Sequence, residues 1–196
     1  MPQVRNVLRE TALKYPEPLI AAQLIDLPRV AFHIGLVKRA VGHRAALCDI
    51  GGGVGMFSPA CAALGMKVTL VDDFHEGPAD TLRLHRDLGV TITPRTGLSF
   101  PPNCFDAVTA FDSDWSAAPS LESLRPGGVF IMSVPNARDS NTVTLRSFAK
   151  ALYLRRVHIL GRNWLVNRRS TPIRLADHIL RLRPSFCANL YLIGHK

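Results

Sequence analysis

Residues Leu47-Cys48-Asp49-Ile50-Gly51-Gly52-Gly53-Val54-Gly55 set a short apolar run, an acid and a cluster of glycines in direct succession. The apolar run suits a buried strand. The glycines suit a tight turn that passes the chain into a helix, because glycine reaches positive φ without steric cost and leaves backbone N–H groups open to a ligand. Such a junction belongs to folds in which strands and helices alternate.

The chain repeats that rhythm around it. Residues 45–50 read as a first strand, and a helix over about 56–64 closes at Gly65. A second strand, 67–71, ends in Asp72-Asp73, and a helix over about 78–88 stops at Gly89 before a third strand, 90–93. Residues 105–111 give a fourth strand with Asp112-Ser113-Asp114-Trp115 at its carboxyl end. A short helix, 120–124, and an Arg125-Pro126-Gly127-Gly128 turn lead to a fifth strand, 129–134. This order predicts an α/β fold with a doubly wound, mostly parallel sheet. Before it, 4–41 carries helical spacing and predicts two or three short helices, broken at 15–18 and at Leu27-Pro28. After it, 142–160 reads as a helix, 161–172 as a basic loop containing Trp164, 173–182 as a further helix and 188–193 as a last strand. The expectation is one domain over 1–196. In it, 1–44 forms a helical cover, 45–136 a ligand-binding core, and 137–196 a basic part that completes the sheet.

Charge is distributed unevenly. Residues 1–140 hold 13 Lys/Arg against 14 Asp/Glu, whereas 141–196 hold 11 against the single Asp177. The net charge of +9 therefore arises in the last quarter, which predicts a solvated basic face or a surface for an anionic partner such as RNA or phospholipid. Cys48, Cys61, Cys104 and Cys187 show no zinc spacing and read as reduced thiols of a cytoplasmic protein, with no bound metal expected. The charged start at Arg5 does not resemble a signal peptide, and no uninterrupted apolar run reaches membrane-spanning length.

The spacing of the glycines separates two ligand chemistries. A dinucleotide fingerprint places a third glycine or alanine where this chain has Met56. Asp49 also stands two residues before the first glycine, where an anion repels a pyrophosphate and favours an ammonium group. With Val68-Thr69-Leu70-Val71-Asp72, Leu98-Ser99-Phe100-Pro101-Pro102, Leu124-Arg125-Pro126-Gly127-Gly128 and Ser133-Val134-Pro135-Asn136 following in order, the chain resembles the class I S-adenosylmethionine-dependent methyltransferases. The likeness is strongest to their small ubiquinone-biosynthesis-like branch, and it covers most of the core.

The resemblance implies a Rossmann-like methyltransferase fold and S-adenosylmethionine as cofactor. Asp49 would lie near the methionine ammonium, Gly51, Gly52, Gly53 and Gly55 would admit the cofactor to the backbone, and Asp72, with Asp73 beside it, would accept the ribose hydroxyls. Leu98 and Phe100 would border the adenine, and Asp106 would be a structural turn residue. The acid that many relatives carry after the third strand is replaced by Pro94-Arg95-Thr96-Gly97, and the helix after the fourth strand is shortened. Asp114 and Asp112 are the catalytic candidates, Asp114 as the base and Asp112 expected also on the cofactor side; Trp115 is a candidate on the substrate side, and His75 reads as a surface residue.

Three functions stay open. The first is methylation of an oxygen or carbon of a small, lipid or glycan-linked metabolite, by an enzyme that is cytoplasmic or peripheral to the membrane. The second is an RNA-directed methyltransferase or RNA-binding module using Arg155, Arg156, Arg168 and Arg169. The third is a degenerate fold that serves as a partner subunit.

Overall fold

The computed structural model describes residues 2–17, 19–73, 79–94, 100–112, 121–136, 142–162 and 187–196. β1 (Ala46–Ile50), β2 (Lys67–Val71), β3 (Val90–Thr93), β4 (Phe105–Phe111), β5 (Leu124–Pro135), β6 (Arg155–Arg162) and β7 (Asn189–His195) form one 7-stranded sheet in the order β3-β2-β1-β4-β5-β7-β6. β1 pairs in parallel with β2 and β4, β2 with β3, and β4 with β5, while β7 runs antiparallel to both β5 and β6. The expected mostly parallel, doubly wound sheet is therefore the one present. Its strand order reverses between β1 and β4.

Helices cover both faces, so the central strands are apolar on both sides. α1 (Pro2–Ala12), α2 (Leu19–Val41) and α3 (Phe57–Ala63) bury Leu8, Ile34 and Ala60 against Leu47, Leu70, Ala107 and Ile131. The alternate residues Cys48, Val108, Phe130 and Met132 point to the other face, where α5 (Thr142–Ala151) packs Leu145 and Ala149. α4 (Ala79–Asp87) links β2 to β3 and ends where Gly89 takes φ +85°.

Two expectations fail for identifiable reasons. Pro28 does not divide α2, which runs unbroken through it. Proline lacks an N–H, so the Leu24 carbonyl loses its usual donor, but Pro28 lies on the exposed side where water can serve. A single 23-residue helix results, long and apolar enough to match a membrane span by composition alone. In this fold it is a core helix that buries Val30, His33, Ile34 and Val37.

The helix expected over 142–160 stops at Ala151, and the chain turns at Tyr153, φ +54°, into β6. In β6 Val157, Ile159 and Gly161 face inward while Arg156, His158 and Leu160 are exposed, a period of two that suits a strand. β5 also begins earlier than expected. The anticipated Arg125–Gly128 turn is an irregularity within the β4–β5 ladder, with Gly127 at φ +79°, and residues 121–123 form a turn in place of a helix. The helix expected over 173–182 lies outside the described residues.

Candidate functional site

The site lies at the carboxyl ends of β1, β2 and β4, where the reversal of strand order opens a crevice. After Ile50, Gly51 (φ +71°) and Gly53 (φ +54°) adopt backbone conformations that other residues enter only with strain. Gly51 N–H extends the β1–β2 ladder to the Val71 carbonyl at 2.8 Å, and Gly55 N–H closes the turn on the Gly52 carbonyl at 3.1 Å. At Gly52 the constraint is space: a Cβ there would meet Asp49 Oδ2 at 2.2 Å and Leu70 Cδ1 at 2.9 Å. The Asp49 carboxylate thus lies in the room that the missing side chain leaves.

Asp49 is 1% exposed. Its Oδ2 accepts the Ser58 hydroxyl at 2.7 Å and its Oδ1 accepts the Thr109 hydroxyl at 2.8 Å. Burial pushes its pKa up from 3.8 to about 6. The two hydroxyls oppose that rise and the nearby Asp72 charge adds to it. Among the described residues no cation pairs with it. Asp72, just beyond β2, accepts Gly53 N–H on Oδ2 at 2.8 Å, which locks the turn to the second strand.

α2 supplies residues that no sequence motif indicated. Arg29 Nη1 donates to Asp112 Oδ2 at 2.6 Å and its Nη2 donates to Asp26 Oδ2 at 2.9 Å. Burial works against its charge, but hydrogen bonding and attraction from Asp26, then attraction from Asp112, outweigh it and raise the pKa. Asp112 itself takes φ +51°. Its N–H donates to Ser133 Oγ at 3.0 Å, and the Ser133 hydroxyl donates back to Asp112 Oδ1 at 2.8 Å. Both carboxylate oxygens are therefore engaged.

One turn further along α2, buried His33 stacks on Phe111, with ring centroids 3.8 Å apart, and its Nε2 lies 2.9 Å from Tyr191 Oη. Burial, helped by the Arg29 charge, lowers its pKa to about 3, so the ring is neutral. Arg29, His33, Asp49, Gly52, Phe111 and Asp112 together wall a cavity of about 90 Å³. Tyr15 braces the turn from behind by donating to the Gly55 carbonyl at 3.1 Å, with His85 Nε2 also 3.1 Å from its hydroxyl.

The structure thus brings together Asp49, Gly51, Gly52, Gly53, Gly55 and Asp72 at one turn and places Asp112 with Asp49 in the lining of one cavity. Asp73 is half-buried beside Asp72. Phe100 packs edge to face on Phe105, 5.1 Å between centroids. Asp106 is structural, but within β4 and not in a turn: it accepts Ala46 N–H at 2.7 Å and pairs with Arg125. Leu98, Asp114, Trp115 and His75 lie outside the described residues, and among those residues no metal-binding cluster occurs. The signal for Arg29 and His33 was available only as an i, i+4 pair on one helical face, which by itself does not say what that face meets.

No protein-family model matches the sequence, and no curated protein matches it. Solved structures match it in three dimensions. A Burkholderia thailandensis 1,6-didemethyltoxoflavin N1-methyltransferase, solved with its substrate and S-adenosylhomocysteine, is 17% identical with a TM-score of 0.62, and the match covers 100% of this chain and 89% of that one. A SAM-dependent methyltransferase from Archaeoglobus fulgidus is 16% identical over 86% of this chain and 94% of its own, with a TM-score of 0.59. Phosphoethanolamine N-methyltransferase 2 of Haemonchus contortus, in complex with S-adenosylmethionine, is 15% identical with a TM-score of 0.57; the match takes in 84% of this chain but only 52% of that longer protein. With its sheet order, its glycine turn after β1 and these likenesses, the chain has the Rossmann-like fold of the class I S-adenosylmethionine-dependent methyltransferases.

Proposed function

We propose that the chain is an S-adenosylmethionine-dependent methyltransferase acting on an oxygen or carbon of a small, lipid or glycan-linked metabolite. The observation that carries this reading is Asp49, a buried carboxylate with only hydroxyl partners, facing a cavity at the switch point of the sheet. Its missing counter-charge fits an ammonium group, and Asp72 on the next strand fits a diol. The residues present therefore suit the cofactor that the fold implies. Asp49 would hold the amino group, Arg29 in the lining of the same cavity would hold the carboxylate, and Asp72 would hold the ribose hydroxyls.

When bound, the cofactor would supply an electrophilic sulfonium methyl to the acceptor's nucleophilic atom. The chain's own task is to hold, orient and exclude water. Because Asp112 is engaged by Ser133 and Arg29, it suits a positioning role on the cofactor side, which leaves Asp114 as the candidate base if the acceptor is a hydroxyl. The acceptor class rests on Asp112-Ser113-Asp114-Trp115, which lacks the segment associated with exocyclic base amines, and on the absence of a Pro-Cys pair.

RNA remains the second reading because Tyr153, 88% exposed, stands beside exposed Arg155 and Arg156 at the edge of the sheet. The decisive experiment is calorimetric titration with S-adenosylmethionine, followed by labelled methyl transfer to cellular lipids, RNA and small metabolites in parallel. Saturable binding that Asp72→Ala abolishes is expected; unchanged affinity in that variant sinks the proposal. The second reading predicts salt-dependent RNA binding that is lost on neutralising Arg155, Arg156, Arg168 and Arg169, and failure to bind RNA even at low salt would remove it.

A further inference from the structure

α2 is apolar on more of its circumference than the sheet covers. At about 100° per residue, Arg29, Val30 and His33 project toward the glycine-turn cavity, whereas Leu24, Leu27, Pro28 and Ala31 project to the opposite side. There they meet α1 across a groove of about 740 Å³, floored by Leu8, Leu24, Leu27 and Ala31. That volume lies within the roughly 300–1,000 Å³ typical of small-molecule sites. The side chains of Arg5 and Arg9, one helical turn apart on α1, stand on the groove's wall. Both are exposed, and among the described residues neither forms an ion pair or side-chain hydrogen bond. Among the described residues no acid lines the groove.

We propose that this groove binds a long-chain carboxylate, with the alkyl chain along the leucines and the headgroup between the two guanidinium groups. An aliphatic floor releases ordered water to an alkyl chain without demanding hydrogen bonds from it. Two guanidinium forks without a protein acid beside them offer bidentate donors to a carboxylate. The neutral amide of Asn6 completes the polar wall, so every charge on the groove has the same sign and calls for an anion. The site is separate from the glycine-turn cavity, and its occupancy does not depend on the methyltransferase reading.

The test is a fluorescence titration of the full chain with the fatty acid cis-parinarate below its micellar concentration, with palmitate and hexadecanol as competitors. Saturable binding, displacement by palmitate and poor displacement by hexadecanol are expected. The double variant Arg5→Gln/Arg9→Gln should lose at least about tenfold in affinity, the scale of a charge-assisted hydrogen bond. Ala31→Phe, which fills the groove without altering charge, should also block binding, and circular dichroism verifies that both variants fold. Unsaturable binding, full affinity in the arginine variant or equal competition by hexadecanol overturns the proposal. So does association with phosphatidylglycerol vesicles without binding of the monomeric fatty acid.

Discussion

Replacing Asp49 by Asn should stabilise the protein at neutral pH while removing ligand binding. In the unfolded chain this carboxyl ionises near 3.8, whereas in the fold burial delays ionisation to about 6. Between those values the folded state holds the proton that the unfolded state has lost, so stability falls as pH rises through the window and stays low above it. At about 1.4 kcal/mol for each tenfold change, the ionised carboxylate costs the fold about 3 kcal/mol. Asparagine carries no such cost. It loses one acceptor, because its NH2 replaces one of the two oxygens that receive the Ser58 and Thr109 hydroxyls and cannot accept either, a penalty of about 1 kcal/mol. The Cys48 carbonyl, 3.4 Å from Thr109 Oγ1, softens that loss.

The net gain is about 2 kcal/mol above about pH 7, or about 4–8 °C in Tm for a chain of this size, turning to a slight loss near about pH 4. Thermal unfolding of Asp49→Asn and wild type, followed by circular dichroism across that range, reads the difference directly. His33 and His85 titrate in both proteins, so they drop out of the comparison. A Tm difference that stays constant with pH refutes the assignment of a raised pKa to Asp49. In parallel, S-adenosylhomocysteine should bind wild type but not the variant, and the wild-type affinity should weaken below about pH 6 as the carboxylate takes up its proton.

Two other substitutions probe the same wall. Gly52→Ala should cost about 1–3 kcal/mol by overpacking, because the new Cβ sits 2.2 Å from Asp49 Oδ2. Combining it with Asp49→Ala should recover part of the loss in a double-mutant cycle of Tm values, and simple additivity would refute the steric account. Arg29→Gln should weaken S-adenosylhomocysteine by about 10–100-fold, the worth of charged hydrogen bonds, while leaving 5′-methylthioadenosine, which has no carboxylate, unaffected. An equal effect on both ligands would mean that Arg29 acts through the fold.

The sheet was legible where turns carried their own chemistry. Gly65 and Gly89 mark helix ends with positive φ, and the acid after β2 and the glycines after β1 sit at strand ends, as the sequence indicated. Where another residue does glycine's work the signal vanishes. Tyr153, between α5 and β6, and Arg156, the second residue of β6, take φ of +54° and +47°, so a stretch with no glycine or proline turns from helix to strand unannounced. Asp112 does the same after β4. The Pro28 break failed for the converse reason, since the burial of Val30, Ile34 and Val37 and an exposed ring outweigh one missing hydrogen bond. Arg29, His33 and Tyr15 were illegible as site residues because their importance comes from which face of a helix meets the turn.

Three acids at the sheet ends show how the fold separates structure from function. Asp106 has its cation, Arg125, and a backbone donor from Ala46, so its charge is settled within the protein. Asp112 has Arg29, but in an exposed pair that an incoming carboxylate can compete for. Asp49 has no cation among the described residues, and burial raises its pKa. An acid kept only to build the turn would be better replaced by a neutral residue, since a buried unpaired charge lowers stability wherever it is ionised. Its retention at the centre of the turn makes physical sense if the counter-charge arrives with a ligand. The free energy lost on ionising Asp49 is then recovered on binding and appears as selectivity for a cationic group.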